Sequence, residues 1–225
     1  MSVISRLSKT LGFTSITGDS GITVIPLKGY SNSDQITPFA WLTRELLPDV
    51  MRMFVILDRD YRSDGAGISL EQAFAAENIV AHVWHRKELE SYLLTPDVIA
   101  RLAGSPVGKV GAIIDSVTTA LKDHVFGRML AERARVEVSA KRDLSVVMTE
   151  FSKEFELNWK DPLYRLYKSP AKDILSAVNR ELQVGGYRTV TSRGLATAHR
   201  IEEIAPEMAG VLRRVEEAVE DARRP

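Results

Sequence analysis

Asp58 and Asp60 stand one residue apart, directly after an apolar run, in the segment MFVILDRDYR (Met53–Arg62). Side chains alternate along a strand, so two carboxylates in this D-x-D spacing leave a strand end on the same side. Together they can hold one hard cation or bridge two. Magnesium takes one or two carboxylates and completes its shell with waters and phosphate oxygens, which suits such a pair. At a buried edge the pair is costly unless a cation or several hydrogen bonds compensate. The plainer alternative is a polar loop, with Asp58 capping the turn through Asp60.

A second acidic group follows in AHVWHRKELESYLL (Ala81–Leu94), which leaves a strand and enters a helical turn through Glu88 and Glu90. Tyr92 and Leu93 are expected to pack behind it. Glu90 should lie at the same sheet edge as the aspartates, one strand over. Both glutamates would also suit a helix N-terminus on dipole grounds alone. In YKSPAKDIL (Tyr167–Leu175), Pro170 and Ala171 open a helix, so Lys172 falls in its first turn. The helix dipole disfavours a cation there, and contact with a scissile phosphate would supply a reason for it. The histidines offer no zinc spacing. His82 and His85, three apart on a strand, face opposite sides, and His124 and His199 have no ligand-spaced neighbours; all are expected as surface or packing residues. Ser63–Gly67 (SDGAG) is not a phosphate loop, because no G-K-[ST] follows. The basic stretch Arg128–Arg142 is interleaved with Glu132 and Glu137 and reads as a solvated helical face.

The elements that would position these groups alternate at first. Residues 1–13 read as an amphipathic helix with Val3, Ile4, Leu7 and Leu11 on one side. Gly21–Leu27 is a short β-branched run, Pro38–Leu47 a helix, Met53–Asp58 a strand, Gly67–Asn78 a helix and Ile79–His85 another strand. Strands alternating with helices of about ten residues imply βαβ units and a parallel sheet. The unbroken apolar run Met53–Leu57 suits a strand covered on both faces. From Thr95 to about Leu157 everything periodic is helical, and Ile113–Arg142 reads as one long amphipathic stretch. The division expected is therefore an α/β core over residues 1–94, a helical insertion over 95–157, and a return to the core with C-terminal helices over 158–225. The glycines and proline of Ala103–Gly111 mark the weakest link.

Composition narrows the classes. The 225 residues carry 30 basic and 30 acidic side chains and no cysteine. Disulfides and thiolate metal sites are excluded, and a cytoplasmic setting is the default. The absent basic surplus counts against a passive nucleic-acid binder. It counts less against a metal enzyme, whose cations attract phosphate themselves. No apolar run reaches the roughly 20 residues needed to cross a bilayer, so no membrane partner is expected.

Taken together, ITVIPLKGYSN, FVILDRDYRS, HRKELESYLL and SPAKDIL resemble the Toprim domain, within it the C-terminal nuclease region of OLD-family (overcoming lysogenization defect) proteins. The resemblance spans about Val3 to Leu175, and its second and third segments are the more specific. It implies a Toprim-like parallel sheet flanked by helices, and a DNA endonuclease using two Mg2+ or Mn2+ ions. Asp58, Asp60 and Glu90 would match the metal ligands and Lys172 the lysine near the C-terminal end. One cation would lower the pKa of an attacking water, the second would neutralise the leaving oxygen, and Lys172 would add positive charge to the transition state. DNA, an N-terminal ATPase domain of the same parent protein and a second copy of the chain are the partners implied. The family's first strand, ending in a glutamate, would lie upstream of Met1, which suggests a fragment. Two other readings compete: a Toprim-like module kept for assembly or regulation, and a phosphotransferase of the haloacid-dehalogenase type. In the latter the first aspartate would be a nucleophile, but Tyr61-Arg62 follow here in place of its usual continuation.

Overall fold

The computed structural model of the chain describes residues 2–16, 23, 25, 41 and 53–222. In chain order its elements are α1 (Ser2–Thr10), β1 (Phe54–Leu57), α2 (Asp64–Ala76), β2 (Val80–Val83), a 3-10 turn (Leu89–Leu93), α3 (Pro96–Ala103) and α4 (Val107–Ala120). There follow α5 (Lys122–Ser139), α6 (Leu144–Asn158), α7 (Pro162–Lys168), α8 (Ala171–Val184), α9 (Ser192–Ala198), a 3-10 turn (Ile201–Glu203) and α10 (Pro206–Ala222). The described chain is thus mostly helical with a small parallel sheet, within the α/β class. The expected strand Gly21–Leu27 and helix Pro38–Leu47 lie outside the described residues, but for Thr23, Ile25 and Trp41.

Two compact units divide it. The first takes the described residues of Met1–Asp58 together with Ile68–Trp84 and Ser192–Pro225; the second takes Arg59–Gly67 and His85–Thr191.

In the first unit β1 and β2 pair in parallel, Phe54 opposite Val80 and Leu57 opposite Val83. A parallel pair needs a crossover of about a dozen residues, and α2 provides it. Val55, Leu57, Ile79 and Val83 form the core of this sheet, with Leu70 and Phe74 of α2 packed against them. Glu71 accepts the Val83 N–H at 2.7 Å, so a side chain occupies that backbone donor of β2. Elsewhere in the unit α1 packs on α9, with Leu7 and Leu195 both buried. Helix α10 buries Met208, Val211 and Leu212, the helical spacing expected of one covered face.

The second unit is helical. Sequence periodicity predicts one long helix over Ile113–Arg142, but the chain breaks at Leu121, between α4 and α5. The cause is local. Thr118 Oγ1 donates to Ile114 O at 2.8 Å and Thr119 Oγ1 to Asp115 O at 2.7 Å. Such bonding back to the preceding turn bends helices. Leu121 N–H then turns to Thr118 O, a 3-10 type bond. The break lets α5 fold back onto α6 around Val125, Phe151, Phe155 and Trp159. Phe155 stacks on Trp159 at 4.9 Å between centroids. The glycine-rich stretch Ala103–Gly111 is a tight link between packed helices: Gly104, at φ +73°, caps α3 and returns its N–H to Ala100 O. Helix α8 buries Ala171, Ile174, Val178 and Leu182 in a single stripe and packs on α4.

Candidate functional site

The turn after β1 is fixed by the residue between the two aspartates. Arg59 is buried; it donates from Nε to Arg62 O at 2.9 Å and from Nη1 to His85 O at 3.0 Å, and it pairs with Asp64. Asp60 follows at φ +53°, a left-handed conformation that Asp tolerates better than most residues. Its N–H donates to Lys87 O at 2.8 Å. The turn carrying Asp60 is therefore tied to the segment after β2 through two backbone acceptors, His85 O and Lys87 O. Asp58 is exposed at the end of β1 and belongs to the first unit, whereas Asp60, half-buried, belongs to the second.

Lys87 and Glu88 make the centre of this edge. Both are buried, at 7% and 9% exposure, and their side chains pair at 3.1 Å. A buried charge needs a partner of this kind. Lys87 Nζ also lies 3.9 Å from Asp60 Oδ1 and 5.0 Å from the centroid of the Tyr61 ring. Glu88 Oε1 accepts the Ala171 N–H at 2.6 Å and the Lys172 N–H at 3.4 Å. The N-cap of α8 is Pro170, which has no side-chain acceptor, so Glu88 satisfies the first free N–H groups from another element.

Lys172, as expected, sits in the first turn of α8. The helix dipole opposes it there, but the Glu88 carboxylate at the same helix end and Glu90 Oε1 at 3.6 Å from its Nζ offset the cost. The structure thus brings Glu90 to Lys172, and Asp60 to Lys87. Arg86 holds the backbone of this segment: its guanidinium lies over the rings of Tyr92 (4.4 Å) and Tyr167 (4.2 Å), and Nη1 donates to Ser91 O at 2.9 Å.

Protonation is uneven around the turn. Burial foremost pushes the Tyr61 hydroxyl up to about 12; Arg128 opposes this, and Glu88, Asp173 and Asp60 add to it. Tyr61 is therefore a neutral group here. Burial, reinforced by Arg59, brings Lys168 down to about 8.

The carboxylates differ in how committed they are. Glu88 is taken up by Lys87 and a helix terminus. Asp60 and Glu90 hold their cations at 3.4 to 3.9 Å, longer than the roughly 2.7–2.9 Å of a strong charge-assisted hydrogen bond. Two loosely paired carboxylates are oxygen donors of the kind and number that magnesium takes when phosphate and water complete its shell. Among the described residues, no group of three or more His, Asp or Glu side chains is placed to hold a metal ion.

Lys87 is a site residue that spacing did not single out, because nothing in K-E-L-E marks a lysine that turns inward. Glu88 was visible as a helix-entry acid, but the helix it serves begins 83 residues later. His82, expected as a surface or packing residue, is buried in a polar knot of the first unit. Its Nε2 lies 2.9 Å from Glu207 Oε1, and its Nδ1 lies 3.3 Å from Arg214.

No family model, curated protein or solved structure matches the chain.

Proposed function

We propose that this chain is a Toprim-like DNA nuclease domain of the OLD type, dependent on Mg2+ or Mn2+. One observation carries the reading. The segments HRKELESYLL and SPAKDIL were singled out separately for their chemistry, and they meet through Glu88 at the start of α8 and through the Glu90–Lys172 pair at 3.6 Å. A lysine otherwise misplaced on its helix is thereby set beside an acid of the same resemblance.

In this reading Asp60 and Glu90 are the carboxylates that hold metal, joined by Asp58 on the strength of its D-x-D spacing. Bound cations would activate water and neutralise a leaving oxygen. Lys172, exposed at the rim, donates to a non-bridging oxygen of the scissile phosphate and stabilises the charge that develops there. Arg59 fixes the turn and Lys87 sets the local field, so both position rather than react. DNA is the substrate, with an ATPase domain of the same parent protein and a second copy as partners, in a cytoplasmic setting. No helix among the described residues is long and apolar enough to cross a membrane.

The test is cleavage of supercoiled plasmid in magnesium, manganese or EDTA by the chain and by Asp58→Ala, Asp60→Asn and Glu90→Gln. Metal-dependent nicking is expected, with at least a hundredfold loss in each variant. Nicking that persists unchanged in all three would show that these residues do not carry it. An intact plasmid under every metal condition would replace the nuclease with an assembly or regulatory module.

A further inference from the structure

Helices α1 and α9 of the first unit contain no Asp or Glu, but they carry Arg6, Lys9 and Arg193. In a chain whose charges cancel overall, these three cations converge on one cleft of about 630 Å3, which Ser5 and Thr14 also line. Among the described residues, no carboxylate lines it. Lys9 and Arg193 are exposed at its mouth, and Arg6 is half-buried.

The groups are arranged by the fold. Arg6 Nη1 donates to Thr197 Oγ1 at 2.7 Å, which fixes its guanidinium, while its buried Nε has no hydrogen-bond partner among the described residues. The lip of the cleft is equally defined. Gly12, at φ +80°, ends α1 in a Schellman turn, with Gly12 N–H to Lys9 O at 3.1 Å and Phe13 N–H to Ser8 O at 2.9 Å. The Ser8 and Lys9 carbonyls near the end of α1 are thereby occupied. The next residues are pinned from α10, where Glu216 accepts the N–H groups of Thr14, Ser15 and Ile16 at 2.8 to 3.2 Å. That carboxylate is consumed by backbone donors.

We infer that this cleft binds a phosphate ester: a phosphate held by Arg6, Lys9 and Arg193, with the remainder of the molecule in the space beyond. Two arginine forks and one lysine point charge match the geometry and charge of a phosphate. The volume exceeds what a bare phosphate fills and falls within the roughly 300–1,000 Å3 of small-molecule sites. The ester belongs either to a nucleic-acid strand or to a free mononucleotide. The inference stands apart from the nuclease reading, since it needs neither metal nor cleavage.

The experiment uses the full chain in EDTA with two probes, a fluorescein-labelled 20-mer of single-stranded DNA followed by anisotropy and adenosine monophosphate followed by calorimetry. The test variant is Lys9→Glu/Arg193→Glu. Lys153→Glu/Lys160→Glu, two exposed lysines of the other unit, gives the same charge change as a control. For a strand, the test variant is expected to bind the 20-mer at least tenfold more weakly and to lower the salt slope by roughly 0.7, the value for one lost phosphate contact. The control is expected to stay within about twofold. Adenosine monophosphate binding that the test variant alone abolishes, without an effect on the 20-mer, would identify the free ester as the ligand. The inference is overturned if neither probe binds, or if the control variant loses as much as the test variant.

Discussion

Glu88 and Glu216 do the same mechanical work in the two units, and Asp60 and Glu90 do not. Glu216 on α10 accepts three backbone N–H groups from residues 14–16, and Glu88 accepts two from the start of α8 while pairing with buried Lys87. Both carboxylates are buried, and both accept backbone N–H groups from more than 80 residues away in sequence. Glu90 stands two residues from Glu88, yet among the described residues its ion pair is with an exposed lysine across 3.6 Å. Asp60 touches its cations at 3.4 and 3.9 Å. Residues of one chemical type thus separate into clamps and reserves. A clamp cannot be given to a ligand without loosening the fold; a reserve can.

The comparison breaks first at Glu88. Replacing it by alanine removes the acceptor at the head of α8 and strands Lys87 in a buried position, a combination expected to cost about 3 kcal/mol. Glu88→Gln keeps an acceptor for the Ala171 N–H but not the charge, and should cost roughly half as much. Urea denaturation followed by tryptophan fluorescence reads both. A change below about 0.5 kcal/mol for Glu88→Ala would place it among the reserves. Glu216→Gln comes next, at about 2 kcal/mol near neutral pH. Burial raises the Glu216 carboxyl, but the hydrogen bonds from Ser15, Ile16 and Thr14 outweigh it and hold the group below its ordinary value of 4.5. Its contribution is therefore complete above about pH 4.5 and is lost as the pH falls through the lower folded value. The stability difference between the natural chain and Glu216→Gln should shrink only in that acidic range. A difference that instead fades between pH 6 and 8 would exclude Glu216 as its source.

Sequence periodicity found β1, β2, α2 and the helical character of the second unit, because each shows its period or its apolar run within a short segment. It missed the break at Leu121, where two threonines turn their hydroxyls onto the preceding carbonyls. The apolar pattern continues through that point, and only the side-chain hydrogen bonds interrupt it. At the site, type and spacing picked out Asp60, Glu90 and Lys172, which lie on local landmarks: a strand end, a helix entry and a helix start. Lys87 and the clamping role of Glu88 stayed hidden. Their partners lie on α8 and in the turn after β1, and nothing in a short segment reports which charge faces inward. Arg59 was concealed for the same reason, since it reads as the spacer between two acids and serves as the pin of the turn.

Lys168 lies between clamp and reserve. Burial foremost, with Arg59 adding repulsion, lowers it from 10.5 to about 8. The folded state thus resists its charge. That cost is fully present below about pH 8 and disappears as the pH rises toward the unfolded value. Lys168→Met should stabilise the chain by about 1 kcal/mol at pH 7, with the gain shrinking between pH 8 and 10.5. A gain that is flat across that range would mean that methionine packs better there and that charge plays no part.

The smallest effect on folding is expected at Lys172 and Glu90, and the distinction between clamps and reserves depends on its being small. Lys172 is 74% exposed on its side chain, and the pair is separated by 3.6 Å in contact with water. Such pairs contribute about 0–0.5 kcal/mol, because screening and side-chain entropy take back most of the attraction. Removing Lys172 also removes a cation from the positive end of a helix dipole, which favours the variant slightly. Lys172→Ala should therefore unfold within about 0.5 kcal/mol of the natural chain, and 0.5 M salt should leave that difference nearly unchanged. A loss near 2 kcal/mol would show that Lys172 completes the network begun by Lys87 and Glu88. It would then be holding the head of α8 in place, and could not stand ready for a phosphate.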